Sequence, residues 1–206
     1  MNRLIIIGAS GHGKVVADIA KLNGYEDIVF LDDDMSKKEC YGFPVIGSVS
    51  KLSELDGDVF VAVGNTQIRE KIMNSNNNRN YPILIHPSAV VAQNVKIGEG
   101  SVIMAGAIIN PDSIIGRGVI INTSSSVDHD CVLEDFVHVA VGAHLCGTVS
   151  IGKNAWIGAG ATVSNNIQIC SGITVGAGAL VIRNIMEKGT YIGIPVRKKK
   201  SGDCCC

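Results

Sequence analysis

The chain has 206 residues, a formal net charge of −1, only 4 % aromatic residues and 24 glycines. So neutral a balance supplies no field to draw in nucleic acid, and the apolar run at residues 4–7 is too short for a signal-peptide core or a membrane span. A cytoplasmic protein with no nucleic-acid or membrane partner is expected, and its scattered Cys40, Cys131, Cys146 and Cys170 fit reduced thiols.

Residues 3–7 read as a buried strand, followed by the turn Gly8-Ala9-Ser10-Gly11-His12-Gly13 and a helix over 14–22. A second strand over 28–31 ends in Asp32-Asp33-Asp34, and a third over 59–63 ends in Gly64-Asn65. A helix over 66–73, a polar loop over 74–80 and a last strand over 81–85 complete this part. Strands alternating with helices predict a parallel α/β sheet, here a half-Rossmann-like domain over 1–86 with room for one mononucleotide. The spacing G-x-x-G-x-G departs from the dinucleotide fingerprint, and Val15 stands where a P-loop needs Ser or Thr. Two readings remain. Either the turn amides and helix N-terminus face a phosphate-bearing ligand, with Asp32 and Asp33 accepting from a ribose or base, or this is a tight turn beside a solvated acidic loop.

From Val91 the chain divides into sixteen consecutive hexads ending at Met186, with an aliphatic residue at every first position. Fifth positions are small or β-branched, as at Ser101, Ala107, Cys131, Ala143 and Ala161, and glycine often takes the second, as at Gly98, Gly116 and Gly158. Positions five and one lie two residues apart and share the inward side of a strand, so position six points outward. Positions two to four turn the chain, and glycine at position two eases that bend. Three hexads close a triangular coil of eighteen residues. The expectation is a parallel β-helix domain over 87–190, followed by a tail over 191–206 in which Arg197 to Lys200 stay solvated and the Cys204–Cys206 end has no mechanistic role.

The histidines divide by position. His129 and Asp130 fall at positions three and four, on a corner where neighbouring side chains can meet, so Asp130 can raise the basicity of the imidazole. Gly147 stacks one coil above His129, where a bare amide can donate to the oxyanion of an attacked thioester. The competing reading is an exposed corner histidine with no task. His138 and His144 occupy outward sixth positions, and His138 lies on the face opposite the His129 corner. One small substrate reaches both only if a second chain supplies one of them, so a homotrimer with parallel prism axes is predicted. His144 is assigned to subunit packing and His86 to structure, while His12 is either a ligand contact or a helix-start residue. Because His129, His138 and His144 face different ways, no metal is expected.

The stretches GASGHGKVVADIA, IVFLDDD, VAVGNTQIR, NTSSSVDHDCVLEDFVHVAVGAHLCGTVSIGKNAWIGAGATV and EKGTYIGIPVRK resemble the hexapeptide acyltransferases of bacterial glycan biosynthesis. The likeness is to the N-acetyltransferases acting on UDP-4-amino-4,6-dideoxy sugars and to the sialic acid O-acetyltransferases. It implies left-handed coiling, acetyl-CoA as cosubstrate, active sites between the subunits of a homotrimer, and direct transfer without a covalent intermediate. It further implies that His129 is the general base, Asp130 the group that raises its pKa and Gly147 the oxyanion donor. By the same likeness Ser10, Gly11, His12, Asp32, Asp33 and Gly64 contact the nucleotide sugar, and Asn122 stands beside the acceptor group. His138, Ala159 and Ala177 line the acetyl-CoA channel. The loop over 35–58 lies outside the resembling stretches and is expected to shape sugar selectivity. O-acetylation of sialic acid or another sugar is the alternative.

Overall fold

The computed structural model describes residues 3–200; the Cys204–Cys206 end lies outside them. Its N-terminal part is a five-stranded sheet in the spatial order Glu39–Cys40, Phe43–Gly47, Asp27–Leu31, Arg3–Ile7, Asp58–Val61. Three buried aliphatic strands, β1 (Arg3–Ile7), β2 (Asp27–Leu31) and β5 (Asp58–Val61), pair in parallel, as residues buried on both faces favour. The 35–58 region adds β4 (Phe43–Gly47), parallel to β2, a short antiparallel β3 (Glu39–Cys40) and a 3₁₀ turn over Val49–Glu54. Helix α1 (Gly11–Leu22) buries Val16, Ala17, Ile19 and Ala20, and helix α2 (Thr66–Ser75) buries Thr66, Arg69 and Met73. Both helices begin or end beyond their sequence-based bounds: α1 takes in the last glycines of the turn, and Asn65 caps α2 by accepting from the Ile68 amide.

The C-terminal part is a three-sided parallel β-helix in which each strand pairs with the one eighteen residues on, as Ile108 does with Ser126 and Ile120 with His138. Face one carries Leu84–Ile85, Val102–Ile103, Ile120–Ile121, His138–Val139, Trp156–Ile157 and Thr174–Val175; face two runs from Val90–Val91 to Leu180–Val181; face three runs from Lys96–Ile97 to Gln168–Ile169. First and fifth positions fill the interior, from Ile103 and Ala107 to Ala179 and Val181. The polar fifth positions are satisfied inside: Ser101 Oγ donates to the Gly116 carbonyl and accepts from the Val119 amide, and Cys131 Sγ donates to the Cys146 carbonyl.

Four details depart from the sequence expectation or refine it. The prism begins at Leu84–Ile85, which pairs with Val102–Ile103 rather than ending the N-terminal unit. The sixteenth hexad breaks step, because Ile185 pairs with Ile169, sixteen residues earlier. The tail is not irregular: Thr190–Ile192 joins face one and Arg197–Lys198 pairs antiparallel with it, while Arg197 and Lys198 stay exposed as expected. Finally, the bend eased by glycine at position two turns through position four, which is left-handed at every corner from Gly100 to Gly178, with φ of 62° at Gly118, 58° at Asp130 and 61° at Phe136. Position-two glycines also serve stacking, since a Cβ on Gly158 would lie 2.6 Å from the Ala177 nitrogen of the next coil.

The two parts share a core. Leu84, Val102, Met104 and Ile120, on or beside face one, pack with Leu4, Ile6, Ile19, Phe30 and Phe60, while Met73, Tyr81 and Phe136 pack with Ile5 and Ile7 on the other side of the sheet. Outward on face one therefore means towards the α/β domain. That leaves faces two and three with uncovered aliphatics: Val90, Ile108, Ile114 and Val132 are 38–61 % exposed.

Candidate active site

The edge between faces two and three carries the histidine pair. Asp130 adopts the left-handed conformation that position four requires, which a short polar side chain tolerates, and this turns its carboxylate back onto the preceding ring. His129 Nδ1 and Asp130 Oδ2 are 2.7 Å apart. The Asp128 carboxylate accepts from the His129 backbone amide and from Asn110 Nδ2. The Asp130 hydrogen bond, reinforced by the charges of Asp128 and Asp130, raises the His129 pKa above its ordinary 6.5. With Nδ1 held by Asp130, Nε2 is the nitrogen left for proton transfer.

Gly147, one coil on, lies directly against this ring. A Cβ there would stand 2.6 Å from His129 Nε2 and 2.7 Å from Cε1, so the glycine is required by the imidazole itself. Corner amides at position three are served by the preceding side chain at Thr123 and His129, through Asn122 and Asp128. At Gly147 the preceding residue is Cys146, which has no side-chain oxygen to offer. Among the described residues no three His, Cys, Asp or Glu side chains cluster as a metal set.

Asn122, Ala159 and Ala177 belong to a different edge, between faces one and two, where the two alanines are exposed one coil apart. His138 points out of face one, as its position requires, yet it is only 5 % exposed because the α/β domain covers it. Its ring stacks on Trp156 at a centroid distance of 4.3 Å and bonds to Asn122 Nδ2 at 3.2 Å and the Gly64 carbonyl at 3.4 Å. Its immediate surroundings are thus Asn122 and Gly64, both predicted substrate-side residues, rather than Ala159 and Ala177. Burial, with the nearby charges of Arg69 and His12, lowers its pKa to about 3. Within one chain the predicted residues fall into two groups with face two between them. His144 stands on face two, its Nδ1 2.8 Å from Ser126 Oγ. His86 Nδ1 accepts from the Ser88 amide, a local turn contact.

In the α/β domain the glycine turn has two kinds of glycine. Gly13 is fixed by packing, since a Cβ would fall 2.1 Å from the Gly8 carbonyl oxygen. Gly11 and Gly64 are not, for a Cβ on either meets nothing within 4 Å. Gly11 is exposed at the N-terminus of α1 beside Ser10, the N-cap residue, whose side chain makes no cap bond. His12 is largely buried with Nε2 unpartnered, and burial followed by the charge of Arg69 lowers its pKa to about 4. Asp32 does structural duty, accepting from the Ala9 amide at 2.7 Å, the Asp34 amide and Lys37 Nζ. Partial burial alone would raise its pKa, but these bonds hold the carboxyl below its usual range. Asp33 accepts from the Val49 amide and stays exposed. A cavity of about 150 Å³ bordered by Asp32, Met35, Lys37, Lys38 and Val45 opens beside these carboxylates, so the 35–58 region forms part of the rim at the strand ends. Sequence reasoning missed Arg69. A charged residue on an amphipathic helix ordinarily faces water, and only the VAVGNTQIR stretch of the family likeness contained it.

A family model described as the PglD N-terminal domain matches residues 3–76. GDP-perosamine N-acetyltransferase of Escherichia coli O157:H7 is 32 % identical over 169 residues, 77 % of this chain and 76 % of that protein. The chain belongs to the sugar N-acetyltransferase family. UDP-N-acetylbacillosamine N-acetyltransferase of Bacillus subtilis (strain 168) is 39 % identical to this N-acetyltransferase over 114 residues, about half of either chain. The acetyltransferase domain of PglB from Neisseria gonorrhoeae FA1090, solved in complex with acetyl coenzyme A, is 44 % identical with a TM-score of 0.93, covering 97 % of this chain and 100 % of that one. The N-acetyltransferase therefore has the left-handed β-helix fold of its relatives. It contains no helix long and apolar enough to cross a membrane among the described residues.

Proposed function

We propose that the enzyme transfers the acetyl group of acetyl-CoA to the 4-amino group of a nucleotide-linked 4-amino-4,6-dideoxy sugar, with UDP the first nucleotide to test and His129 the general base. The observation that carries this reading is the His129–Asp130 pair seated on Gly147. The amine lone pair attacks the thioester carbonyl carbon while His129 Nε2 takes the ammonium proton. The Gly147 amide donates to the oxyanion, the C–S bond breaks, and the proton passes to the departing thiolate. Relatives named for GDP-perosamine and UDP-N-acetylbacillosamine support an amino-sugar acceptor, and one solved with acetyl coenzyme A supports the donor.

Residues on two edges of one prism serve a single reaction if protomers meet in a homotrimer, with the His129 edge of one subunit beside the Ala159–Ala177 edge of the next. The exposed aliphatics on faces two and three favour such contacts. In this reading Ser10, Gly11, His12, Asp33 and Gly64 hold the nucleotide, Asp32 orders their loop, and the strip of small residues around Ala159 and Ala177 accommodates the pantetheine arm. His138 borders the acceptor as well as the thioester.

The test is thiol release from acetyl-CoA with UDP- and GDP-linked 4-amino sugars, comparing wild type with His129→Ala. Loss of a general base costs about 10²–10⁴ in rate. Undiminished turnover in His129→Ala would remove His129 from the mechanism, and turnover only with a free hydroxyl sugar would replace N- by O-acetylation.

A further inference from the structure

Arg69 is 1 % exposed, and its hydrogen bonds all go to backbone carbonyls rather than to a carboxylate. Nε donates to the Gly118 oxygen at 2.7 Å and Nη2 to the Phe136 oxygen at 2.9 Å. These two carbonyls are one coil apart on the edge between faces three and one. Nη1 donates to the Val63 and Gly64 oxygens at 2.7 and 3.0 Å, at the end of β5. A neighbouring residue of α2 continues the same column, as Thr66 Oγ1 donates to the Asn154 oxygen at 3.2 Å, one further coil along. Helix α2 therefore rests on three successive coils, and among the described residues Arg69 is the side chain whose hydrogen bonds join that column directly to the Val63 and Gly64 carbonyls. A buried guanidinium without a counter-charge is a costly way to join two domains, which points to a demand on geometry beyond adhesion.

The Gly64 carbonyl is also the start of a longer chain of bonds. It lies 3.4 Å from His138 Nδ1, and His138 Nε2 lies 3.2 Å from Asn122 Nδ2. Asn122 Oδ1 accepts from the Thr123 amide, which leaves its amide nitrogen as the donor to His138. The imidazole then accepts at Nε2 and donates at Nδ1 to Gly64, the only neutral tautomer that satisfies both partners. Trp156 backs the ring.

We propose that Arg69 is a positioning residue for acetyl transfer: it fixes the Gly64 turn on the prism and, through the Gly64–His138–Asn122 chain, sets where the nucleotide sugar lies relative to the acceptor edge. The inference rests on the nucleotide-sugar reading of Gly64 and Asn122 given above. The burial and cationic surroundings that keep His138 uncharged are consistent with it. Lysine cannot replace the planar fork, since one ammonium cannot reach carbonyls on two coils and two loop residues together.

The experiment compares Arg69→Lys with Thr66→Val, which breaks a bond of the same docking column without touching Gly64. Steady-state kinetics and thermal melting are measured on both full-length proteins, and the imidazole ¹⁵N signals of His138 report its tautomer independently of turnover. In Arg69→Lys the KM for the nucleotide sugar should rise about tenfold, the equivalent of one charge-assisted hydrogen bond, with the acetyl-CoA KM unchanged. The His138 signals should lose the single Nδ1-protonated pattern of the wild type. Thr66→Val should keep the wild-type KM values and tautomer even if it melts lower. An unchanged nucleotide-sugar KM in Arg69→Lys, or effects matching those of Thr66→Val, would overturn the proposal. A wild type inert with every nucleotide amino sugar would sink the substrate reading instead, and the ¹⁵N pattern would still decide whether Arg69 holds the chain.

Discussion

Gly147→Ala offers the sharpest separation of stability from chemistry. A methyl group there would sit 2.6 Å from His129 Nε2, whereas ordinary carbon contacts begin near ~3.5 Å, so the ring must retreat by roughly 1 Å. The His129 side chain is 55 % exposed and can swing towards solvent. Gly147 itself is buried, but the only group its methyl must displace is this mobile ring, so stability should change by no more than about 1 kcal/mol, a melting shift of about 4 °C or less in a chain of this size. The chemistry is less forgiving, because a misplacement of about 1 Å can cost about 10²-fold. Swinging the ring also stretches the 2.7 Å bond to Asp130 that sets its basicity. Initial rates of thiol release, read beside a thermal melt, should show kcat/KM down about 10²-fold with folding intact. Wild-type turnover in this variant would mean that the imidazole does not act from where it stands.

Asp130→Asn keeps a residue that tolerates φ of 58° but removes the charge that raises the His129 pKa. The acidic limb of the kcat/KM profile should move to lower pH while the plateau rate falls, and an unmoved limb would count against Asp130 as the cause. His12 and His138 have folded pKa values near 4 and 3 against 6.5 unfolded, so below pH 6.5 the unfolded chain takes up protons that the folded one refuses. Melting temperature should fall as pH drops from 6.5 towards 4, with a shallower slope in His12→Asn; equal slopes would contradict the burial of His12. Gly13→Ala drives a Cβ into backbone at 2.1 Å and should cost about 3 kcal/mol by denaturant melts. Gly11→Ala, with open space around it, should leave stability unharmed and weaken only nucleotide-sugar binding.

The periodic half of this fold was legible because every face of a hexad obeys the same parity, so the inward aliphatics, the corner of His129 and the stacking of Gly147 all followed from counting. The count failed where the coil changed length, at Ile185, and where the prism borrowed a strand, Leu84–Ile85, from a segment that read as part of the α/β unit. Composition alone does not say which of positions two to four takes the left-handed angle: glycine is frequent at position two because the coils stack closely there, whereas Asp130, Phe136 and Thr148 accept that angle at position four. Docking of the α/β domain also leaves a trace in the sequence. Outward positions on every third side are Leu84, Val102, Ile120, His138 and Trp156, far more apolar than a solvated face requires. Arg69 left no such trace, since its partners are backbone oxygens that no side-chain pattern encodes.

The eighteen-residue pairing step also limits how this molecule can change through insertion and deletion. Loss of six residues between Asn122 and His129 would carry the imidazole to another edge, away from the glycine that admits it. Only the gain or loss of an entire turn keeps both edges in line with the domain clamped by α2. Length variation among proteins built this way is therefore expected at the far ends of the prism, where it leaves both edges in register, and in the hairpin of β3 and β4, where it would reshape the rim beside Asp32 without moving the catalytic edge.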